Sequence, residues 1–248
     1  MNTIYILWLR QLKRYFRSRS RMIGSLGQPI LFLVALGFGF GPIFKRAGAG
    51  NYMNFLAPGV IAQGIIFTAI FSGIELIWDR QFGFLKETLV APVSRLNIMI
   101  GRTLGGTTIA TLQGIIIFFL TLLVGFRPVN LLMLPFALIV MFLTALLFTA
   151  LGTAIASTMD DFHGFQMIMN FLIMPLFFLS GALFPLDNLP KAIDIISHFN
   201  PLTYGVDGLR ATLINASHFG LTTDFFVLTG VSILFLSIGS YLFSKIQV

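Results

Sequence analysis

The sequence predicts an all-α integral membrane protein with six transmembrane helices. Three observations lead there. The 248-residue chain is 56% hydrophobic and only 10% charged, with a mean hydropathy of +0.91. A soluble domain carries about 25% charged residues, so this chain has too few to coat a surface in water. Its apolar residues gather into six runs near the ~20 residues that cross a bilayer as helix. Alternating apolar and polar positions are absent, which leaves helices as the structures able to satisfy their own backbones in lipid.

The six runs are Met22–Phe44, Phe55–Trp78, Leu96–Gly125, Leu131–Ser157, Phe165–Leu183 and Thr222–Phe243. The fifth is the shortest and carries Gln166, Asn170 and Pro175. Ahead of the first, residues 1–21 are amphipathic. At 100° per residue Tyr5, Trp8, Leu12, Tyr15 and Phe16 share one side, while Arg10, Lys13, Arg14, Arg17 and Arg21 share the other. Such a helix lies in the headgroup layer, its rings in lipid and its cations toward anionic headgroups. A secretory signal with Ala47-Gly48-Ala49 as its cleavage site is the rival. The apolar run after the basic start exceeds the 7–15 residues of a signal core.

Basic residues orient the chain. With the N-terminus inside, eleven of the sixteen Lys and Arg fall on the inner side, and Lys45, Arg46, Arg127, Lys191 and Arg210 fall outside. Six spans then place both termini in the cytoplasm. The net charge of +7 does not point to nucleic acid, because the cations sit beside apolar runs rather than on a soluble basic face. There is no Cys, so disulfides and thiolate metal sites are excluded.

Two polar stretches carry the organisation. Residues 79–95 divide the second and third runs and concentrate Asp79, Arg80, Lys86, Glu87 and Arg95. Gln81–Val90 reads as a short amphipathic helix with Phe82, Leu85 and Leu89 on one face. Pro92 ends it and restricts Ala91, and Ser94 is placed to cap the next helix. A charged loop between two spans fits the same residues. In residues 184–221, Asp187-Asn188-Leu189-Pro190 is a helix-start signal. Ile193, Ile196 and Phe199 give the helix that follows an apolar side. Asn200-Pro201 starts another helix to about Leu213. The two read as a re-entrant or interfacial pair packed on protein, or equally as an outer loop lying on the membrane.

Catalytic chemistry is not visible. Gly101-Arg-Thr-Leu-Gly-Gly106 lacks the Lys and the strand of a phosphate loop, and its glycines suit close helix approach. His163, His198 and His218 are scattered, and Asp160-Asp161 reads as the end of a span, so no metal site is expected. Glu75 and Arg102 lie toward the inner ends of their spans, whereas ion-coupled carriers keep acids near mid-membrane. Gln63, Gln113, Gln166 and Asn170 are polar groups within spans, suited to lining a path or to hydrogen bonding between helices.

Three stretches together resemble the permease subunits of ABC-2 type ABC transporters, in particular daunorubicin-resistance and nodulation-factor exporters. The first is Arg80-Gln-Phe-Gly-Phe-Leu-Lys-Glu-Thr-Leu-Val-Ala-Pro-Val-Ser-Arg95. The others are Gly181-Ala-Leu-Phe-Pro-Leu-Asp187 with Leu189-Pro190, and Asn200-Pro-Leu-Thr-Tyr204 running to Gly208-Leu-Arg210. The resemblance covers essentially the whole chain. It implies that 79–95 forms a cytoplasmic coupling helix against an ATPase, with Arg80, Phe82, Leu85, Lys86, Glu87, Leu89 and Pro92 at the contact. It implies that 184–221 forms outer re-entrant helices, with Pro185, Pro190, Asn200, Pro201, Tyr204 and Arg210 shaping an outer gate. It also implies two permease chains, a homodimer, each with a separate cytoplasmic ABC ATPase that binds ATP and Mg. The permease itself holds no cofactor. The setting is a bacterial inner membrane, and the role is export of an apolar or amphipathic cargo such as a drug, a lipid or a lipid-linked glycan. Phe84 and Lys86 depart from the Thr and Glu common in the family, and Glu87 carries the displaced acid. An ion-coupled secondary transporter is the alternative.

Overall fold

The computed structural model describes residues 3–46, 51–90, 92–186 and 190–246, except for the side chains of Arg21 and Leu89. The expected Ala47-Gly48-Ala49 and Asp187-Asn188-Leu189 signals, Ala91 and the apolar role of Leu89 therefore lie outside the described residues. Every regular element among the described residues is helical. In chain order these are α1 (Thr3–Arg17), α2 (Arg19–Gly24), α3 (Gly27–Arg46), α4 (Tyr52–Phe71), α5 (Ile74–Gln81), α6 (Phe84–Val90) and α7 (Arg95–Val124). After them come α8 (Leu134–Ser157), α9 (Phe162–Phe178), α10 (Lys191–Phe199), α11 (Pro201–Ile214) and α12 (Leu221–Ser244).

Five helical stretches are long and apolar enough to cross a membrane: Met22–Arg46, Tyr52–Gln81, Arg95–Val124, Leu131–Ser157 and Leu221–Ser244. The fifth expected span is the shorter α9, with 17 residues. At 1.5 Å rise per residue α9 reaches about 25 Å against a hydrocarbon core of about 30 Å. Its ends nevertheless lie at opposite ends of the bundle. It starts after Asp160, which pairs with Arg80. It stops before Gly181, whose carbonyl accepts from Arg210.

Capping chemistry sets the boundaries. The Ser94 hydroxyl accepts from the Asn97 N–H and starts α7, as its sequence context predicts. Asp161 accepts from His163 and Gly164 to start α9. Asn200 accepts from Leu202, and Pro201 is the first residue of α11.

At the centre stands α4, most of whose residues are buried, with α3, α7, α8, α9 and α11 around it. Small residues allow the crossings. A Cβ on Gly73 would sit 2.5 Å from the Gly152 carbonyl oxygen, and one on Gly152 would strike the backbone of Ile70. The α4–α5 kink at Ser72–Gly73 and helix α8 thus touch backbone to backbone. Gly106 on α7 meets Ser72 at the same level. The glycines of 101–106 perform the close-approach role read from the sequence.

Two expectations need correction. The aromatic side of α1 does not simply face lipid, because it packs on α7. Leu7, Leu12 and Tyr15 are buried, the Trp8 indole donates to Thr108 Oγ1 at 3.0 Å, and the Tyr15 hydroxyl donates to Gln113 Oε1 at 2.8 Å. Gly101 and Gly105 admit this contact, since Ile4 and Gln11 occupy the space a side chain would need. Second, the outer pair divides between its two readings: α11 is packed on protein, between α4, α8 and α12. On α10 the apolar side is not seated: Ile193 is half-buried, while Ile195, Ile196 and Phe199 are exposed.

The backbone contact at Gly152 makes a direct prediction. Gly152→Leu should destabilise the protein by about 1–3 kcal/mol or prevent its recovery, because backbone atoms cannot swing aside as a side chain can. Gly230→Leu, with open space around it, should be tolerated. Thermal unfolding in detergent, read by the fraction that stays monodisperse, compares the two.

Candidate functional site

Residues 79–95 form a bent arm at the end of the bundle where α5 meets α7. Helix α5 stops at Gln81 because Gly83 adopts φ +79°, a left-handed conformation open to glycine. The single helix expected over Gln81–Val90 is therefore two, with α6 beginning at Phe84. This break separates the residues expected to share an apolar face. Leu85 is fully buried, whereas Phe82 is 83% exposed. Lys86, Glu87, Val90 and Pro92 are exposed around them.

The root of the arm is a buried ion cluster. Asp79 accepts a two-pronged bond from Arg10, with Nη1 at 3.0 Å from Oδ2 and Nη2 at 2.8 Å from Oδ1. The Arg102 Nη2 donates to Oδ2 at 2.6 Å, and Arg14 approaches Oδ1 at 3.7 Å. Three guanidiniums from α1 and α7 thus converge on one carboxylate of α5. Both Asp79 and Arg102 are buried. Forked guanidinium–carboxylate contact fixes orientation as well as distance. Arg10 also lies over the Phe84 ring, 3.6 Å from its centroid, so α1 grips the first residue of α6.

Arg80 fixes the opposite flank. It donates to the Met159 and Ser157 carbonyls at 3.1 Å each and pairs with the Asp160 carboxylate. The Gln81 amide donates to the Asp160 carbonyl at 3.1 Å. The C-terminal ends of α5 and α8 are joined, and α9 follows directly. Sequence reasoning placed Arg80 in this stretch but missed the Asp79–Arg10–Arg102 cluster. The available signal was a carboxylate and a guanidinium near facing span ends in a chain with few charges, since charges at that depth need partners.

At the other end, Asn200 Nδ2 donates to the Leu176 carbonyl at 2.7 Å and the Tyr204 hydroxyl to the His198 carbonyl at 2.9 Å. Arg210 donates to the Gly181 carbonyl at 2.6 Å and stacks 3.9 Å from the Phe55 ring centroid. Asn200, Pro201, Tyr204 and Arg210 thus tie α11 to the end of α9 and to its own neighbours, while Pro185 and Pro190 lie at the surface. A cavity of about 490 Å³ opens there beside Asn54, Thr203, Asp207 and Arg210.

The four polar span residues do not share a path within this chain. Gln63 is 1% exposed and borders a second cavity of about 370 Å³. Gln113 is buried and receives the Tyr15 hydroxyl. Gln166 and Asn170 lie exposed on α9.

A helical bundle with a surface-packed N-terminal helix, an arm at one end and a buried short helix at the other defines a multi-pass membrane protein. The sequence matches the ABC-2 type transporter family over residues 2–214, and the chain belongs to that family. Nodulation protein J of Rhizobium leguminosarum bv. viciae is 31% identical over 78% of this chain and 74% of its own length. For ycf38 of Cyanophora paradoxa the identity is 32%, covering 98% of this chain and 88% of that one. The inner membrane transport permease YadH of Escherichia coli K12 is 28% identical over 90% and 87% of the two chains.

The cluster predicts a distinctive pattern of stabilities. Asp79→Asn should cost about 3–5 kcal/mol, because Arg102 is left buried without its counter-charge. Asp79→Leu combined with Arg102→Met should recover more than half of that loss. Thermal unfolding of Asp79→Asn, Asp79→Leu, Arg102→Met and the double variant reads this, and simple addition of the Asp79→Leu and Arg102→Met losses would show that the groups do not act as a pair.

Proposed function

We propose that the chain is the membrane-spanning subunit of an ATP-driven exporter, with a separate ABC ATPase docked on the 82–90 arm. The observation that carries this is the construction of the arm. It presents an exposed Phe82 and a charged rim outward, and is anchored inward by Leu85, Phe84 and the Asp79 cluster. A surface that must transmit force needs both features: an aromatic group for the partner to grip and a packed root that moves as one piece. Lys86 and Glu87 flank the contact and set register more than affinity. ATP and Mg are held by the ATPase, and this chain supplies the path.

Six passes support the orientation, with α9 counted because its two ends lie at opposite ends of the bundle. Both termini are then cytoplasmic, α1 lies along the inner surface, and α10–α11 form the outer closure with Asn200, Pro201, Tyr204 and Arg210 at its hinge. The exposed Gln166 and Asn170 on an apolar helix favour burial against a second copy of the chain, since amides facing hydrocarbon are costly. The cargo is apolar or amphipathic. One observation favours an ion-coupled carrier instead. Asp224 is fully buried in the first turn of α12, and neither carboxylate oxygen has a hydrogen-bond partner among the described residues. Its place at a helix end rather than mid-span weighs against that role.

The test is reconstitution of the permease with its genetically adjacent ATPase in sealed vesicles. Transport should require ATP hydrolysis, survive collapse of the proton gradient, and stop when the ATPase phosphate-loop Lys is replaced. Phe82→Ala should weaken ATPase binding by about tenfold or more while leaving the permease's thermal stability unchanged. Leu85→Ala should instead lower stability by about 2–5 kcal/mol. Transport that follows the proton gradient without the ATPase would overturn the assignment.

A further inference from the structure

The cavity beside Gln63 is lined by α1, the α2–α3 junction, α4, α5, α7 and the start of α9, at the end of the bundle that bears the arm. Its volume, about 370 Å³, lies within the range that holds one small organic group. Polar and aromatic side chains are arranged on it unequally. The Gln63 amide has no hydrogen-bond partner among the described residues for either its oxygen or its nitrogen, although the side chain is more than nine-tenths buried; the Gln11 amide also lines the cavity, with its carbonyl oxygen turned toward Gly105 of α7. Gln28 adds a third amide. Phe67, Phe71, Phe162 and Trp78 supply the apolar wall, with Trp78 and Phe162 stacked at 5.7 Å and 12° between planes.

Leaving a buried amide unsatisfied costs about 1–3 kcal/mol, so such groups are retained where a ligand or water completes them. Amides both donate and accept, and complement hydroxyl and amide groups. Glu75 lies on the same wall, but it interacts electrostatically with Arg102 and is not a bare anion that would select a cation.

We propose that this cavity is a binding site, within one chain, for an amphipathic molecule with a neutral hydroxyl- or amide-bearing head. Gln63 bonds the head, and the Phe67–Phe71–Trp78–Phe162 wall takes the start of the apolar body. The site rests on the exporter reading only in that its ligand is then the cargo at loading. Its position next to α5 and the Asp79 cluster places the ligand against the elements that carry the arm. Occupancy and arm position are therefore physically linked.

The experiment uses the full chain in phosphatidylcholine nanodiscs, without ATPase or ATP. The probe is radiolabelled N-dodecyl gluconamide, competed with dodecyl trimethylammonium and dodecyl sulfate of the same tail. Saturable binding at one site per chain is expected, weakened about tenfold or more by Gln63→Leu. Gln63→Asn, which keeps the amide, should retain part of it, and Ser237→Ala, exposed on α12 and outside the cavity, should retain all of it. In a Trp8→Phe background Trp78 is the remaining indole of the two in the sequence, and its emission should shift on binding. Non-saturable partitioning only, unchanged affinity in a folded Gln63→Leu, or stronger competition by the cationic amphiphile would each overturn the proposal. None of these outcomes bears on whether ATP drives transport, which the vesicle experiment decides separately.

Discussion

One carboxylate sets the geometry of the arm-bearing end of this protein. Asp79 sits where α1, α5 and α7 meet, and each of those elements contributes to the cluster around it. A buried charge is stable only when its desolvation is offset by close partners, so the cluster persists in one arrangement rather than many. Arg10 serves two contacts at once, the Asp79 carboxylate and the Phe84 ring, and thereby joins α1 to α6. Arg80, next in sequence, binds the end of α8. Two adjacent residues therefore gather four helices under the arm.

The rigidity above the cluster has a different origin. Gly73, Gly106 and Gly152 bring α4–α5, α7 and α8 into contact at one level, with the Phe165 ring of α9 packed against Gly73. Close packing of this kind transmits displacement because it leaves little free volume to absorb it. In the exporter reading, a push on the arm enters through Leu85 and Phe84, passes to α1 and α7 at the cluster, and reaches α8 through the glycine crossing. At the far end Asn200 and Arg210 hold α11 to the end of α9, so movement of α9 is felt at the outer closure.

Much of the fold was legible because it rests on local rules. Apolar length located five of the six expected spans as helices long enough to cross a membrane, Ser94 marked the start of α7 and Asn200-Pro201 that of α11, and the glycines of 101–106 announced a close helix contact. What escaped depended on one backbone angle or on long-range pairing. Gly83 lies inside a sequence that satisfies helical periodicity, and only its positive φ splits the helix and turns Phe82 outward. Asp79 and its Arg10 partner are 69 residues apart, a distance over which no periodicity operates. The amphipathic pattern of α1 was correct, but a pattern cannot tell a lipid surface from the glycine-bearing face of α7. The apolar side of α10 was also read correctly from sequence, and the exposure of Ile195, Ile196 and Phe199 shows only in three dimensions.

With Asp79 holding both, the arm and α1 are expected to move as one body. Electron–electron spin distances measure this directly in a chain that contains no native Cys. Labels at the exposed positions of Lys13 and Lys86 should keep one narrow separation in the complex with and without trapped ATP. The Lys86–Lys191 separation, from the arm to the other end of the bundle, should change. In Asp79→Asn the Lys13–Lys86 distribution should broaden. A wild-type Lys13–Lys86 distance that shifts with ATP, or one that Asp79→Asn leaves untouched, would contradict the account.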